Sequence, residues 1–152
     1  MLVAVAAEAE RRGLRKIETV QASAEGLPFR DGHFDFLASR YSAHHWRDAR
    51  AGLREARRVL RPGATAFFID IVAPEAAAFD THFQAVELLR DVSHVRDYGV
   101  AEWRESLASA GFSTSSRSCG ACGWIFPSGR AGSVRHRRLR RRSACCSKRR
   151  TT

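Results

Sequence analysis

Two adjacent histidines, His44 and His45, followed by Trp46, are the residues here best suited to move a proton. Imidazole titrates near neutral pH, so a histidine beside a substrate can act as a general base. Adjacent side chains leave the backbone in different directions, so at most one of the pair faces a site. The plainer reading is that both pack and cap locally. His94 and Tyr98 lie in Arg90-Asp91-Val92-Ser93-His94-Val95-Arg96-Asp97-Tyr98 and could touch a ligand, although the plainer reading is an ion-paired loop between helices. Arg57, Arg58 and Arg61 read as a solvated face rather than an anion site. Cys119, Cys122, Cys145 and Cys146 supply four thiols. Structural zinc usually takes two spaced pairs, and the adjacent Cys145-Cys146 fit that poorly, so no metal is expected.

The elements that must position these residues alternate between helix and strand. Leu2, Val5, Ala6 and Ala9 recur at helical spacing, so Met1–Arg12 reads as a helix stopped by Gly13. Ile17–Gln21 reads as a short strand. Ala22–Arg30 is a loop in which Pro28 bars a helix, and Asp31-Gly32 is a turn. Phe34–Ser39 is almost continuously apolar, as in a strand buried on both faces. Asp48 can cap a helix through Leu60, with Leu53, Ala56, Val59 and Leu60 facing inward and Pro62-Gly63 ending it. Thr65–Val72 is a second apolar strand. Glu75–Leu89 follows as a helix with Phe79, His82, Phe83 and Val86 on one stripe. Val100–Ala110 is a further helix stopped by Gly111. Alternation at this spacing means parallel strands joined by crossovers.

Composition divides the chain at Phe112. The first 112 residues hold 15 of the 26 Lys and Arg and all 16 acids, a net charge of −1. The last 40 residues hold the other 11 basic residues, no acid and all four cysteines. A basic field suited to nucleic acid is therefore confined to residues 113–152, where an arginine-rich arm could bind phosphates. Residues 1–112 are read as one domain, and 113–152 as a basic, disordered tail. No apolar run reaches the ~18 residues of a membrane span. Leu2 to Ala7 carry no preceding basic segment, which argues against a signal peptide. A cysteine-free body fits the cytoplasm.

Three segments carry a resemblance: Ala24-Glu25-Gly26-Leu27-Pro28-Phe29, Phe34 to Trp46, and Arg57-Arg58-Val59-Leu60-Arg61-Pro62-Gly63. In this order they resemble the class I S-adenosylmethionine-dependent methyltransferases, in particular the small-molecule type that includes quinone-biosynthesis enzymes. The resemblance implies an α/β fold, a Rossmann-like parallel sheet with flanking helices. It implies S-adenosylmethionine as cofactor and a small-molecule methyl acceptor as partner, with no membrane. It places Ser23 and Ala24 at the adenine, Arg40 and Tyr41 at the methionine end, and His44 or His45 near the acceptor. It makes Phe34–Ser39 and Thr65–Val72 neighbours that expose an apolar edge.

The family's Gly-x-Gly-x-Gly turn has no counterpart here. The chain is therefore read as lacking the first strand-helix-strand unit, and the isolated polypeptide is expected to bind cofactor weakly or not at all. The family's C-terminal hairpin is expected to be missing or replaced, with a frameshift near codon 113 as the reason. The competing readings are an inactive remnant and a nucleic-acid-binding protein acting through the tail.

Overall fold

A computed structural model describes residues 2–113, 117–118 and 124–128. The element order is α1 (Leu2–Arg11), β1 (Phe34–Arg40), a single 3-10 turn (Ala43–His45), α2 (Ala49–Val59), β2 (Leu60–Asp70), α3 (Ala77–Arg90), α4 (Val100–Ser109), β3 (Arg117–Ser118) and β4 (Trp124–Ser128). The sheet runs β1-β2-β4-β3. β1 and β2 are parallel, and the α2 crossover between them gives the α/β unit expected from the alternating pattern.

α2 is the best-specified helix. The Asp48 carboxylate accepts a hydrogen bond from the Ala51 N–H at 2.9 Å, satisfying a donor that the first turn leaves orphaned. Arg57 and Arg58 lie in the last turn, where positive charge complements the helix dipole. Its inner face carries Leu53, Ala56 and Val59, all buried. Leu53 and Ala56 belong to a core with Leu60, Ala66 and Phe68 of β2, Trp103 and Leu107 of α4, and Phe112. The Phe68 ring lies 6.0 Å from Trp103 and 5.8 Å, edge-on, from Phe112. Leu60 leaves the helix and opens β2 instead of closing α2. Pro62-Gly63 sits in a bulge, because Phe34 pairs with Leu60 whereas Phe36 pairs with Thr65. Gly63 takes φ +83 there, a value that side chains resist.

Four expectations need correction. Ile17–Gln21 is not a strand: among the described residues no chain pairs with it, and Ile17 and Val20 are exposed. A strand is defined by its neighbour's hydrogen bonds, and apolar side chains alone do not make one. Phe34–Ser39 does form a strand but is not buried on both faces. β1 is the end strand of the described sheet, and Phe36 remains 54% exposed. In α3 the expected stripe points the wrong way, because Phe79, His82 and Val86 are exposed. Glu87 is buried and Asp80, Phe83 and Gln84 are half-buried, since the polar members find partners in residues 90–97. Finally, the sheet does not stop at Phe112. β4 pairs antiparallel with β2, from Ala66–Ser128 to Asp70–Trp124, and β3 pairs antiparallel with β4. The four cysteines and the arginine run of the tail lie outside the described residues.

The arginines after α2 are not a simple solvated face. Arg58 donates to the Phe29 carbonyl at 2.7 Å, the Leu27 carbonyl at 3.0 Å and Asp31 at 2.8 Å, and it pairs with Glu55 through two bonds of 2.7 Å. Glu55 in turn accepts from the Leu27 N–H at 2.9 Å. A planar guanidinium with five fixed donors can hold a loop in this way, whereas an ammonium cannot. Its hydrogen bonds hold the Glu55 carboxyl at about 2, well below the usual 4.5. A depressed carboxylate contributes stability above the unfolded-state value and loses it as pH falls through the folded one. The stability difference between wild type and Glu55→Gln, measured by urea unfolding, should therefore be constant above about pH 5.5 and shrink between about 4.5 and 2. A difference independent of pH would show that the clamp does not form.

Candidate functional site

The carboxyl ends of parallel strands are where an α/β sheet presents its chemistry, since the crossing loops leave a crevice there. The end of β2 holds the turn that follows β1. Asp70, at the tip of β2 and 4% exposed, accepts from the Ala43 N–H at 2.8 Å, the Ser42 N–H at 3.3 Å and its neighbour Ile71 N–H at 2.9 Å. Its Oδ1 also takes a 2.6 Å hydrogen bond from His44 Nδ1. The carboxylate thus holds the turn that follows β1. Just before that turn Tyr41 adopts φ +49, the left-handed region, while its N–H reaches the Ile69 carbonyl at 2.8 Å. A non-glycine residue in this region is costly and is kept only where its surroundings enforce it.

Beside the turn lies a cleft of ≈ 720 Å³. One wall is the loop that Arg58 clamps, including Val20, Ser23, Ala24 and Leu27; the other is Leu37 and Ser39 of β1, and Ser42 and His45 close the end. The volume falls within the ~300–1,000 Å³ of sites for small organic ligands. Trp46 packs so tightly against Gly52 that an added Cβ would come within 2.5 Å of its ring, so both floor residues are fixed. The Trp46 indole N–H donates to the Ser42 hydroxyl at 3.1 Å.

The six residues singled out in the sequence divide between these two features. Ser23, Ala24 and His45 line the cleft. Arg40 and Tyr41 do not; the guanidinium sits 4.7 Å from the Tyr41 ring centroid, and the pair stacks on itself. His44 is buried and spent on Asp70, with its carbonyl accepting the Val95 and Arg96 N–H groups at 2.8 and 3.1 Å. The histidine pair therefore splits as its adjacency requires. His45 Nδ1 lies 3.1 Å from the Ser93 carbonyl, an acceptor, so Nδ1 carries the proton and Nε2 keeps a lone pair. The Ser23 hydroxyl donates to Glu25, which leaves its oxygen lone pairs available.

One group of residues was not found from the sequence as a group. Behind the turn, His44, Asp70, Glu87, His94 and Asp97 are all buried together. Gln84 pairs with the Asp97 backbone in both directions, accepting its N–H at 3.0 Å and donating to its carbonyl at 2.8 Å. Arg96 leaves this interior and pairs with Asp80 and Glu102 at 3.1 and 3.2 Å. Burial pushes the Asp97 carboxyl up, against the pull of His44 and His94. Native Asp97 thus holds its proton to higher pH than the unfolded chain does, so this residue costs stability as pH rises. His94 and Tyr98 belong to the packing rather than to the cleft, as the ion-paired-loop reading has it. The Tyr98 ring stands edge-on to Trp103 at 6.1 Å. No signal in sequence spacing joins these residues, because tertiary contact alone brings them together.

Comparison with known proteins bears on the family of this segment. Residues 1–68 match the methyltransferase domain model. The crystal structure of YcgJ from Bacillus subtilis superposes with a TM-score of 0.75 at 32% identity, over 78% of this chain and 50% of that one. The chain carries part of a methyltransferase domain. YafE of Escherichia coli, an uncharacterised protein, is 50% identical over 103 residues, 68% of this chain and 50% of its own length. A ubiquinone/menaquinone biosynthesis C-methyltransferase of Shewanella frigidimarina is 36% identical over 62 residues, 41% of this chain and 25% of its own. The chain thus spans half or less of these relatives. The Rossmann-like α/β fold and the pairing of β1 with β2 are as the resemblance implied.

The methyltransferase-domain match over residues 1–68 implies S-adenosylmethionine as cofactor. The cleft suits its nucleoside part. Apolar Val20, Leu27 and Leu37 offer faces for a flat base, and the Ser23 and Ser39 hydroxyls offer polar edges. No described helix is long and apolar enough to cross a membrane.

Asp70 is the residue on which this end of the sheet depends. Asp70→Ala leaves three backbone N–H groups and an imidazole without their acceptor and should cost about 3–5 kcal/mol in urea unfolding. Asp70→Asn keeps one oxygen acceptor and should cost about 1–2 kcal/mol. Equal and small losses for the two variants would show that the turn is held by other contacts.

Proposed function

We propose that the chain contributes to S-adenosylmethionine-dependent methyl transfer onto a small-molecule acceptor. The single observation that carries this reading is the cleft between the Ser23–Leu27 loop, β1 and the turn that follows it, bounded by Ser23, Ala24 and His45, in methyltransferase-domain sequence. Ser23 would accept from the adenine amino group, and the Ala24 backbone N–H would meet a ring nitrogen. Arg40 and Tyr41, stacked on each other beside the cleft, are the residues assigned to the methionine end. His45 is the better of the two candidates for receiving a proton from the acceptor, since its Nε2 is free while His44 is committed to Asp70. The cofactor supplies a sulfonium-activated methyl group, which needs alignment with its acceptor more than acid–base help. The similarity to a quinone-biosynthesis enzyme supports an apolar, ring-containing acceptor.

Residues 1–152 contain no Gly-x-Gly-x-Gly segment, and the cleft by itself is expected to bind the cofactor weakly. Titration of the full isotopically labelled chain with S-adenosylmethionine should shift the backbone amide signals of Ser23, Ala24 and His45, saturating in the sub-millimolar to millimolar range. Ser23→Ala should weaken binding by up to about tenfold, the worth of one hydrogen bond. Absence of any shift at millimolar cofactor, or shifts remote from the cleft, would overturn the assignment.

A further inference from the structure

The buried group behind the cleft is short of hydrogen-bond donors, and the shortage can be traced atom by atom. The Gln84 amide is oriented by the Asp97 backbone: its oxygen must accept from an N–H and its nitrogen must donate to a carbonyl. His94 Nε2 lies 2.9 Å from that same oxygen, so Nε2 carries the imidazole proton. Nδ1 of His94 is therefore a bare lone pair, and it is buried with no partner. Both carboxylate oxygens of Asp97 are also buried without a partner, in a residue only 1% exposed. The nearest cationic candidate, His44 Nδ1, is 3.9 Å from Asp97 Oδ1 and already bonded to Asp70. Glu87 completes the set. Arg90 bonds only its Oε2, and ligand atoms of Glu87, His94 and Asp97 lie within 4.8 Å of one another. Buried lone pairs facing each other with no donor between them are costly unless a Lewis acid sits among them.

We infer that Glu87, His94 and Asp97 form a binding site for one divalent cation of the zinc class. One imidazole nitrogen and two carboxylates suit a borderline first-row ion such as Zn²⁺ or Co²⁺ better than Mg²⁺, which prefers oxygen alone. The two carboxylates balance the charge of the dication. Gln84 acts as the outer partner, holding the His94 tautomer that leaves Nδ1 free to ligate. The site would lock α3 to the 91–97 segment, whose backbone docks on the His44 carbonyl and so on the floor of the cleft.

The test must separate this site from the tail thiols. It uses the full chain with Cys119, Cys122, Cys145 and Cys146 all changed to Ser. After incubation with Zn²⁺ or Co²⁺ and dialysis, elemental mass spectrometry should find one equivalent per chain. The Co²⁺ form should show ligand-field absorption without a thiolate charge-transfer band. Asp97→Asn, which keeps the shape and removes the buried charge, should remain folded by circular dichroism and lose more than about a hundredfold in affinity. Glu87→Gln, at the edge of the group, should weaken binding without loss of fold, and Mg²⁺ should not compete. The site is refuted if the four-serine chain takes up no stoichiometric metal, if Asp97→Asn retains it, or if Mg²⁺ displaces Zn²⁺. A proton shared between Asp97 and His94 would then be what satisfies these atoms.

Discussion

A buried carboxylate at the end of a strand organises this molecule. Asp70 accepts from Ser42, Ala43, Ile71 and His44, so the tip of β2 dictates the path of the chain leaving β1. An ionised acceptor surrounded by donors is stabilised even in a low-dielectric interior, and charge-assisted bonds of this kind are roughly twice as strong as neutral ones. The consequence is geometric. With the turn fixed, His44 faces inward, His45 faces the cleft, and the 91–97 segment docks on the His44 carbonyl. A chain that begins as two apolar strands and a helix acquires, at one end, a polar floor with defined directions.

A second constraint holds the opposite wall. The loop that carries Ser23 and Ala24 has little secondary structure, only an isolated Ser23–Gly26 bridge. It is kept in place by Arg58 and Glu55 of α2, which reach its carbonyls and the Leu27 N–H. The crossover helix therefore does two jobs with two faces. Its apolar face, Leu53, Ala56 and Val59, packs on the sheet, and its polar edge ties down the loop. The cleft exists because both attachments converge on α2 and β1.

Much of this was legible in the sequence where physics is local. The Asp48 cap, the left-handed stops and the apolar strand pair follow from short-range rules; β1 and α2 match the structure to within a position or two, whereas β2 starts five residues before the expected Thr65. The histidine pair split as adjacency requires. What could not be read depended on partners distant in sequence. Ile17–Gln21 has the composition of a strand but no neighbour among the described residues. The stripe of α3 was read from hydrophobicity, yet Phe79 and Val86 are exposed and Glu87 is buried, because Gln84 and Glu87 meet His94, Asp97 and Arg90. Arg58 reads as surface charge in the sequence because three of its acceptors, on Leu27, Phe29 and Asp31, lie about thirty residues away. The tail was read as leaving the sheet, whereas residues 124–128 pair with β2, since a backbone ladder asks for little from side-chain periodicity.

Exposed apolar side chains cluster along β1 and the segment before it, among them Leu14, Ile17, Val20 and Phe36. Of these, Val20 lines the cleft. The most direct measurement is a crystal structure of the full chain soaked with S-adenosylhomocysteine. The account predicts density for the adenine between the Ser23–Leu27 loop and Leu37, with the sulfur end directed to Ser42 and His45. Density for the ligand elsewhere on the molecule, with this cleft left to solvent, would contradict it.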